Sequence, residues 1–253
     1  EDVRVLEYIP ATTTVEVLEE LGQAFTAAQG FARFSRQLSD FDASNLVTVL
    51  PDFHRPDFRW RQFSDALERD AGGRAGECAG EVALAMGVEP LMRDWQELMN
   101  KRPVRVCHND CKIYNLLFHR ETGGIAAIID LDTCMPGPVL TDFGDLVRTC
   151  CSPEAEDSTR LENVAARPEV FRALTEGYLD GWRGEITRAE IDSLVQGGLM
   201  MCFIIGLRFL TDFLDGDRYF AIAHPGHNLE RARNQLRLFD SLRTRIADHA
   251  VTA

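Results

Sequence analysis

The residues that decide the fold are His108-Asn109-Asp110-Cys111-Lys112-Ile113-Tyr114-Asn115, followed by Ile128-Ile129-Asp130-Leu131-Asp132. In both stretches, polar side chains stand beside short apolar runs. The runs at 116–118 and 125–129 have the composition of β-strands, and Thr122-Gly123-Gly124 supplies a turn between them. We therefore predict a hairpin that folds the two polar stretches toward each other.

The residue types in these stretches suit phosphoryl transfer. That reaction needs an acceptor hydroxyl held in line, a divalent cation on the phosphates, and neutralisation of the developing charge. Asp110 is suited to orient the hydroxyl and accept its proton, whereas Asn115 and Asp130 offer the hard oxygen ligands that Mg²⁺ prefers. A solvated polar turn is the alternative interpretation of the same residues.

Outside the hairpin, the apolar residues recur mostly at helical spacing. We predict an α+β, mainly helical fold, in which a small β-insert interrupts a single helical unit. Pro90 is expected to open one helix, because proline is tolerated in a first turn. The predicted strands are 3–6 and 104–107 in addition to the hairpin, and the predicted helices are 15–38, 58–69, 76–86, 90–99, 191–214 and 228–246.

Composition limits the function. The 253 residues are 45% hydrophobic, which suffices for a conventional core, and 27 basic against 40 acidic residues give a net charge of −13. This charge repels nucleic acid, and no apolar stretch approaches the ~20 residues that cross a bilayer. Seven cysteines without paired spacing indicate a reducing compartment. We expect a cytoplasmic protein that binds neither nucleic acid nor membranes.

The pattern H-x-D-x-x-x-x-N, followed by an apolar strand and D-x-D, resembles the catalytic and metal loops of the aminoglycoside phosphotransferase and choline kinase superfamily. Five further stretches resemble the N-acetylhexosamine 1-kinases: 50–54, 130–137, 142–145, 208–214 and 216–220. The resemblance implies a protein-kinase-like C-terminal lobe with a short β-hairpin carrying a catalytic loop at 108–115 and a metal loop at 130–132. It also implies ATP- and Mg²⁺-dependent transfer of the γ-phosphate to a sugar hydroxyl, with N-acetylhexosamine as the expected acceptor.

The same resemblance implies roles for single residues around the reacting phosphate. Asp110 would be the catalytic base, and Asn115 and Asp130 the magnesium ligands, with Asp132 as a second carboxylate on the metal. Asp142 would brace the catalytic loop.

It further implies contacts to the two substrates. Arg208 and Tyr219 match positions that hold the sugar, and the backbone at Glu7 and Ile9 matches the hinge that binds adenine. Lys112, inside the catalytic loop, is placed to touch the γ-phosphate.

The resemblance also divides the chain into residues 1–10, a hinge-strand remnant of an N-terminal lobe, and residues 11–253, the helical C-terminal lobe. The N-terminal lobe should carry a glycine-rich loop and a phosphate-anchoring lysine ahead of the hinge. Gly72-Gly73-Arg74-Ala75-Gly76 has the wrong spacing for that loop, and Lys101 lies in a loop before the catalytic strand. We expect the N-terminal lobe to be missing from this sequence.

Several alternatives stay open. His108 is expected to be structural rather than a proton-transfer group. Arg208 could form an ion pair with Asp212 one turn further on, and Tyr219 could be a core aromatic residue. Aminoglycosides, choline or homoserine are alternative acceptors. The alternative function is a non-catalytic module that binds nucleotide weakly or serves only as an interaction surface. Cys111, beside the proposed base, has no evident explanation in the sequence.

Overall fold

A computed structural model describes residues 5–246, and helices account for most of them. The strands are β1 (Thr12–Thr13), β2 (Arg105–Cys107), β3 (Leu116–His119), β4 (Ile125–Ile128) and β5 (Met135–Gly137). The helices are α1 (Leu21–Gln37), α2 (Pro56–Arg69), α3 (Ala79–Asn100), α4 (Leu140–Cys150), α5 (Pro168–Trp182), α6 (Arg188–Ile191), α7 (Leu194–Leu214) and α8 (His227–Arg245). The expected mainly helical α+β class with short hairpins is confirmed.

The strands form two small antiparallel sheets. β3 pairs with β4 through the predicted turn, and β1 adds to the outer edge of β3. β2 pairs with β5, so that Cys107 lies opposite Met135. β5 was not predicted, but its pairing with β2 matters for the site because it holds the segment after 130–132 beside the segment that leads into 108–115.

The core is built around α7, which packs on α4, α8 and α2. Trp95, Phe203 and Phe239 join α3, α7 and α8 in one aromatic cluster, with ring centroids 5.3–6.3 Å apart. α7 is long and apolar enough to cross a membrane, yet 78% of its apolar window is buried within the protein. It is therefore the central helix of the core.

Glycines bring α4 unusually close to α7. A Cβ atom added to Gly144 would lie 2.2 Å from the carbonyl oxygen of Gly197. This backbone contact fixes the spacing of two helices that carry polar residues of the site, Asp145 on α4 and Arg208 on α7. Any side chain at residue 144 would clash with the backbone of α7.

The prediction of two helices at 76–86 and 90–99 was wrong, because α3 continues through Pro90. Proline leaves the carbonyl of the residue four positions earlier without its helical donor. That residue, Met86, is 48% exposed, so water can reach its turn of the helix. Apolar contacts of Val88, Met92 and Trp95 with the core then favour a single long helix.

Two N-terminal boundaries also differ. Of the predicted strand at 3–6, Val3 and Arg4 lie outside the described residues, whereas Val5 and Leu6 are exposed and belong to no strand. No neighbouring strand among the described residues pairs with them. The first long helix starts at Leu21 rather than near 15, because a reciprocal capping box between Glu20 and Gln23 ends the preceding loop there.

Candidate active site

The catalytic loop, 108–115, follows β2, and the side chain of Asp142 binds its backbone. The two carboxylate oxygens of Asp142 accept the backbone N–H groups of His108 and Asn109, both at 2.8 Å. Asn109 has a positive φ of 63°, a conformation that asparagine tolerates better than most residues. These are the contacts that a bracing role for Asp142 requires, since they fix the backbone immediately before Asp110.

His108 connects the catalytic loop to the end of β4. Its Nδ1 accepts the N–H of Asp110 at 3.3 Å, and its Nε2 therefore carries the hydrogen and donates to the carbonyl of Ile129 at 3.0 Å. The ring is fully buried and packs edge-on against Phe31. Both nitrogens are thus occupied by the backbone, as expected of a structural histidine.

The metal loop, 130–132, is bound to the catalytic loop by further contacts. The backbone N–H of Ile129 donates to the carbonyl of Asn115 at 2.9 Å, and the hydroxyl of Thr133 donates to the carbonyl of His108 at 2.7 Å. Asp130 follows Ile129 with a φ of 60°, again in the left-handed region. The two loops therefore form one unit in which Asn115 and Asp130 are neighbours across the hairpin.

Asn115 and Asp130 fit the donor set of a magnesium ion. The amide nitrogen of Asn115 donates to the carbonyl and carboxylate of Asp110, at 2.9 and 3.2 Å, which leaves its oxygen as the ligand atom. Asp130 is exposed, and Asp132 lies in the 3-10 turn Leu131–Thr133 that follows it. Between residues 5 and 246, no three His, Cys, Asp or Glu side chains form a metal-binding group. A cation here would thus also need phosphate and water oxygens, as Mg²⁺ commonly does.

Burial and two neighbouring charges determine the pKa of Asp110. Burial raises the pKa of its carboxyl, and the negative charge of Asp145 raises it further, whereas Lys112 opposes both. The Lys112 ammonium lies 3.1 Å from Asp110 Oδ1; although burial disfavours its charge, Asp110 and Asp145 hold its pKa above the usual range. Asp110 is consequently a partly buried carboxylate with a nearby cation, suited to accept a proton.

A cavity of about 250 Å³ contains the residues predicted to hold the acceptor together with the proposed base. Arg208 and Tyr219 line it, and the Arg208 guanidinium lies 3.5 Å from the Tyr219 hydroxyl. Arg208 is 8% exposed and lies over the rings of Phe53 and Phe220. Asp110 lies in the wall of the same cavity, which we call the acceptor cavity.

The alternative interpretations of Arg208 and Tyr219 were wrong. Asp212 forms no ion pair with Arg208; its two oxygens accept three backbone N–H groups of the following loop, from Arg218, Tyr219 and Phe220, and the side chain of Asn228. Those donors occupy the carboxylate and fix the loop instead. Tyr219 is 67% exposed, so it is not a core aromatic residue.

Two residues without a predicted role, Asp145 and His54, also line this cavity. Asp145 Oδ1 accepts a hydrogen bond from Arg148 Nε in an ion pair at 2.8 Å, and Asp145 Oδ2 is buried without a hydrogen-bond partner. His54 donates from Nε2 to the carbonyl of Asn109 at 2.9 Å, and burial lowers the pKa of its imidazole to about 4. The sequence did point to both residues, because Asp145 lies in the segment 142–145 and His54 in the segment 50–54, and both segments resemble the family.

A network of partly buried charges surrounds Glu156, and the sequence did not predict it. Glu156 contacts both Arg148 and Arg231, the latter at 2.5 Å. Although burial opposes the charge, these two guanidiniums lower the pKa of Glu156 to about 2. No local pattern could have shown this network, because its members are brought together from α4, the loop after it and α8.

The proposed adenine contacts lie apart from this cavity. Glu7 is exposed, and the carbonyl of Ile9 accepts the Thr12 hydroxyl at 2.9 Å. Neither residue lines the acceptor cavity. Their role in binding nucleotide stays a prediction.

Cys111 has a packing role. Its side chain is fully buried in the hydrophobic core, and burial raises the pKa of the thiol well above its usual range. The residue beside Asp110 thus points away from the reaction site and anchors the catalytic loop to the core.

A model of the Phosphotransferase enzyme family (APH) matches residues 2–185, which include both loops and α4 but end before Arg208. The chain is also similar, at 18% identity and a TM-score of 0.41, to the crystal structure of an aminoglycoside-3'-phosphotransferase of type VIII. That alignment covers 77% of this chain and 66% of the other, so the chain spans slightly less than two thirds of that protein's length.

Proposed function

The chain belongs to the phosphotransferase enzyme family, and on that premise we propose that it is an ATP- and Mg²⁺-dependent kinase of a small-molecule hydroxyl, with a sugar as the acceptor. One observation carries the proposal. Asp110 shares a cavity with Arg208 and Tyr219, so a hydroxyl held by the last two would reach the carboxylate.

In the proposed reaction, Asp110 accepts the proton of the acceptor hydroxyl. The acceptor oxygen forms a bond to the γ-phosphorus of ATP, the bond from that phosphorus to the bridging oxygen breaks, and ADP leaves. Asn115 and Asp130 would hold the divalent cation, which neutralises charge on the donor phosphates when it is bound. His108 and Asp142 act through the backbone, by keeping Asp110 in place.

Lys112 has a place in this scheme as well. Its ammonium is paired with Asp110 at 3.1 Å and is partly exposed. A phosphate arriving next to the acceptor hydroxyl would compete with Asp110 for the ammonium. Lys112 would then stabilise negative charge on the transferred group, and Asp110 would be released to act as the base.

A sugar is favoured as acceptor by the stretches 208–214 and 216–220, which resemble those of N-acetylhexosamine 1-kinases. The geometry agrees with a polar ring compound: the cavity offers Arg208 and the Tyr219 hydroxyl as hydrogen-bonding groups, and the rings of Phe53 and Phe220 as flat apolar surfaces. We propose N-acetylhexosamine as the basic scaffold. Aminoglycosides, choline and homoserine are the competing acceptors.

The test is acceptor-dependent formation of ADP by the full-length protein with Mg²⁺-ATP. The panel contains N-acetylglucosamine, N-acetylgalactosamine, kanamycin, choline and homoserine. We expect ADP formation to exceed the water-dependent background with the sugars, and mass spectrometry to find a phosphorylated sugar. Absence of a phosphorylated product from every acceptor, together with no heat of Mg²⁺-ATP binding, would overturn the proposal and favour a non-catalytic module.

A further inference from the structure

A second cavity adjoins the acceptor cavity. It has a volume of about 490 Å³ and shares Arg208, Tyr219 and Phe220 with the first, so a ligand bound at Asp110 could extend into it. Arg59 of α2 lines its wall beside Arg208. We call this second cavity the arginine pocket.

Within residues 5–246, the buried guanidinium of Arg208 forms no ion pair. Only 8% of the residue is exposed, yet among residues 5–246 no carboxylate lies within 4.0 Å of its guanidinium. Its neighbours are aromatic rings at 5.0 to 5.7 Å and the Tyr219 hydroxyl at 3.5 Å. Cation–π contacts compensate only part of the cost of burying a charge, and burial lowers the pKa of this guanidinium.

Arg59 is a second cation of this pocket, and it is partly buried. Its guanidinium donates to the carbonyl of Phe53, at 2.8 and 3.1 Å, and to the side chain of Gln62 at 2.6 Å, and in the described part of the chain it has no ion pair. Burial lowers its pKa to about 10, with a further contribution from the positive charge of Arg208. Two guanidiniums that repel each other therefore face one pocket.

None of the three acidic residues that line the pocket forms an ion pair with Arg59 or Arg208. Asp212 is occupied by backbone N–H groups and Asn228, and Asp215 pairs with Arg69 at 2.8 Å. The remaining carboxylate, Asp65, is exposed. Four arginines and three aspartates line the pocket, so its wall has a net positive charge. The chain as a whole has a net charge of −13. A local excess of positive charge in an acidic protein indicates an anionic ligand.

We infer that the acceptor carries a carboxylate, and that Arg59 and Arg208 bind this group while the phosphorylated hydroxyl lies at Asp110. Planar guanidiniums bind carboxylates through paired hydrogen bonds, which supplies both affinity and orientation. The inference rests on the proposed kinase function, and it replaces the neutral N-acetylhexosamines as the preferred acceptors by sugars that carry a carboxylate. It also disfavours choline and aminoglycosides, which are cations that this pocket would repel.

The test is a charge series on one sugar ring: glucuronate is anionic, N-acetylglucosamine neutral and glucosamine cationic. With the full-length protein and Mg²⁺-ATP, we expect kcat/KM to be about tenfold or more higher for glucuronate than for N-acetylglucosamine, and lowest for glucosamine. Equal values, or a preference for the neutral or cationic sugar, would overturn the inference while leaving the kinase function intact.

Substitutions of Arg59 test whether the preference for glucuronate arises in the arginine pocket. Arg59→Gln should reduce the ratio of the glucuronate and N-acetylglucosamine values toward one, whereas Arg59→Lys should retain part of it. Arg61→Gln is the matched control, because Arg61 lies on the same helix, is exposed and lines neither cavity. A ratio in Arg59→Gln equal to that of the unmodified protein would count against the assignment.

Binding separates this inference from the failure of the reaction itself. Calorimetry on the Asp110→Asn protein measures affinity for the same three sugars without turnover. We expect glucuronate to bind most tightly even there. If no sugar is phosphorylated but glucuronate still binds selectively, the kinase proposal fails and the anion site stands; if none of the three binds selectively, the anion site fails.

Discussion

The Lys112 ammonium lies 3.1 Å from Oδ1 of Asp110, and its positive charge favours the ionised form of this proposed base. Burial and the charge of Asp145 raise the pKa of Asp110, whereas Lys112 lowers it. The reaction requires the ionised carboxylate. Activity should therefore fall on the acidic side as Asp110 becomes protonated.

Removing the positive charge of Lys112 should shift the fall in activity at acidic pH to higher pH. In Lys112→Met, the pKa of Asp110 rises because the opposing charge is gone, so the limb of the kcat/KM profile moves to higher pH. We also expect kcat to fall by about tenfold or more, since Lys112 would stabilise the transferred phosphate. The measurement is a pH profile of ADP formation. Lys101→Met is the control, because Lys101 is exposed and pairs with Glu97; an unshifted limb in Lys112→Met would contradict the pairing.

Asp212 should affect acceptor binding rather than chemistry. In Asp212→Asn, one oxygen that accepts hydrogen bonds becomes an N–H donor facing other donors, so the loop with Tyr219 loses its anchor. We expect KM for the acceptor to rise about tenfold, with a smaller change in kcat. Asp240→Asn on α8 serves as the control. A fall in kcat at constant KM would show that the loop does not position the acceptor.

The arrangement of residues 108–115 and 130–132 could be predicted from sequence, because each segment is contiguous and the two flank one hairpin. Asp110, Asn115 and Asp130 come together through backbone pairing that the turn at 122–124 already encodes. The charges of the acceptor cavity could not be predicted in the same way. Whether Arg208 pairs with Asp212 depends on a loop whose N–H groups compete for the carboxylate, and helical spacing does not show that competition.

The continuity of α3 shows a similar limit. Proline predicts a helix boundary because of local steric clashes. At Pro90 the helix nevertheless continues, because Met86 is exposed to water and the flanking residues pack on the core. The long-range contacts of Glu156 carry no sequence signal, because Arg148 and Arg231 come from separate helices.

His54 makes stability depend on pH. Its folded-state pKa of about 4 lies below the ordinary value of 6.5, because burial disfavours the imidazolium. The unfolded chain therefore binds the proton first, and the stability from neutral His54 is complete above pH 6.5 and lost as pH falls toward 4. Relative to His54→Gln, the unmodified protein should lose about 3 kcal/mol more unfolding free energy over this window.

Urea titrations at several pH values measure this difference. His119→Gln is the matched control, since His119 is exposed. Parallel pH dependences for the unmodified protein and His54→Gln would show that the imidazole titrates normally in the folded state.

The close contact of α4 and α7 predicts a sharp difference between two glycines. Gly144→Ala places a methyl group 2.2 Å from the Gly197 carbonyl and should destabilise the fold by about 3 kcal/mol, because neither backbone can yield. Gly87→Ala on α3 meets no atom within 4 Å and should stabilise the protein by about 0.5–1 kcal/mol, since alanine favours a helix. Urea midpoints compare them. Equal midpoints would contradict the packing.

The most direct test of the central claim is the rate of phosphoryl transfer by Asp110→Asn. The substitution keeps the size of the side chain but removes the group that accepts the proton. We predict a fall in kcat/KM of about 10²–10⁴, with Mg²⁺-ATP binding by calorimetry retained and Asp40→Asn unaffected. A rate within twofold of the unmodified protein would show that the carboxylate at residue 110 is not the base.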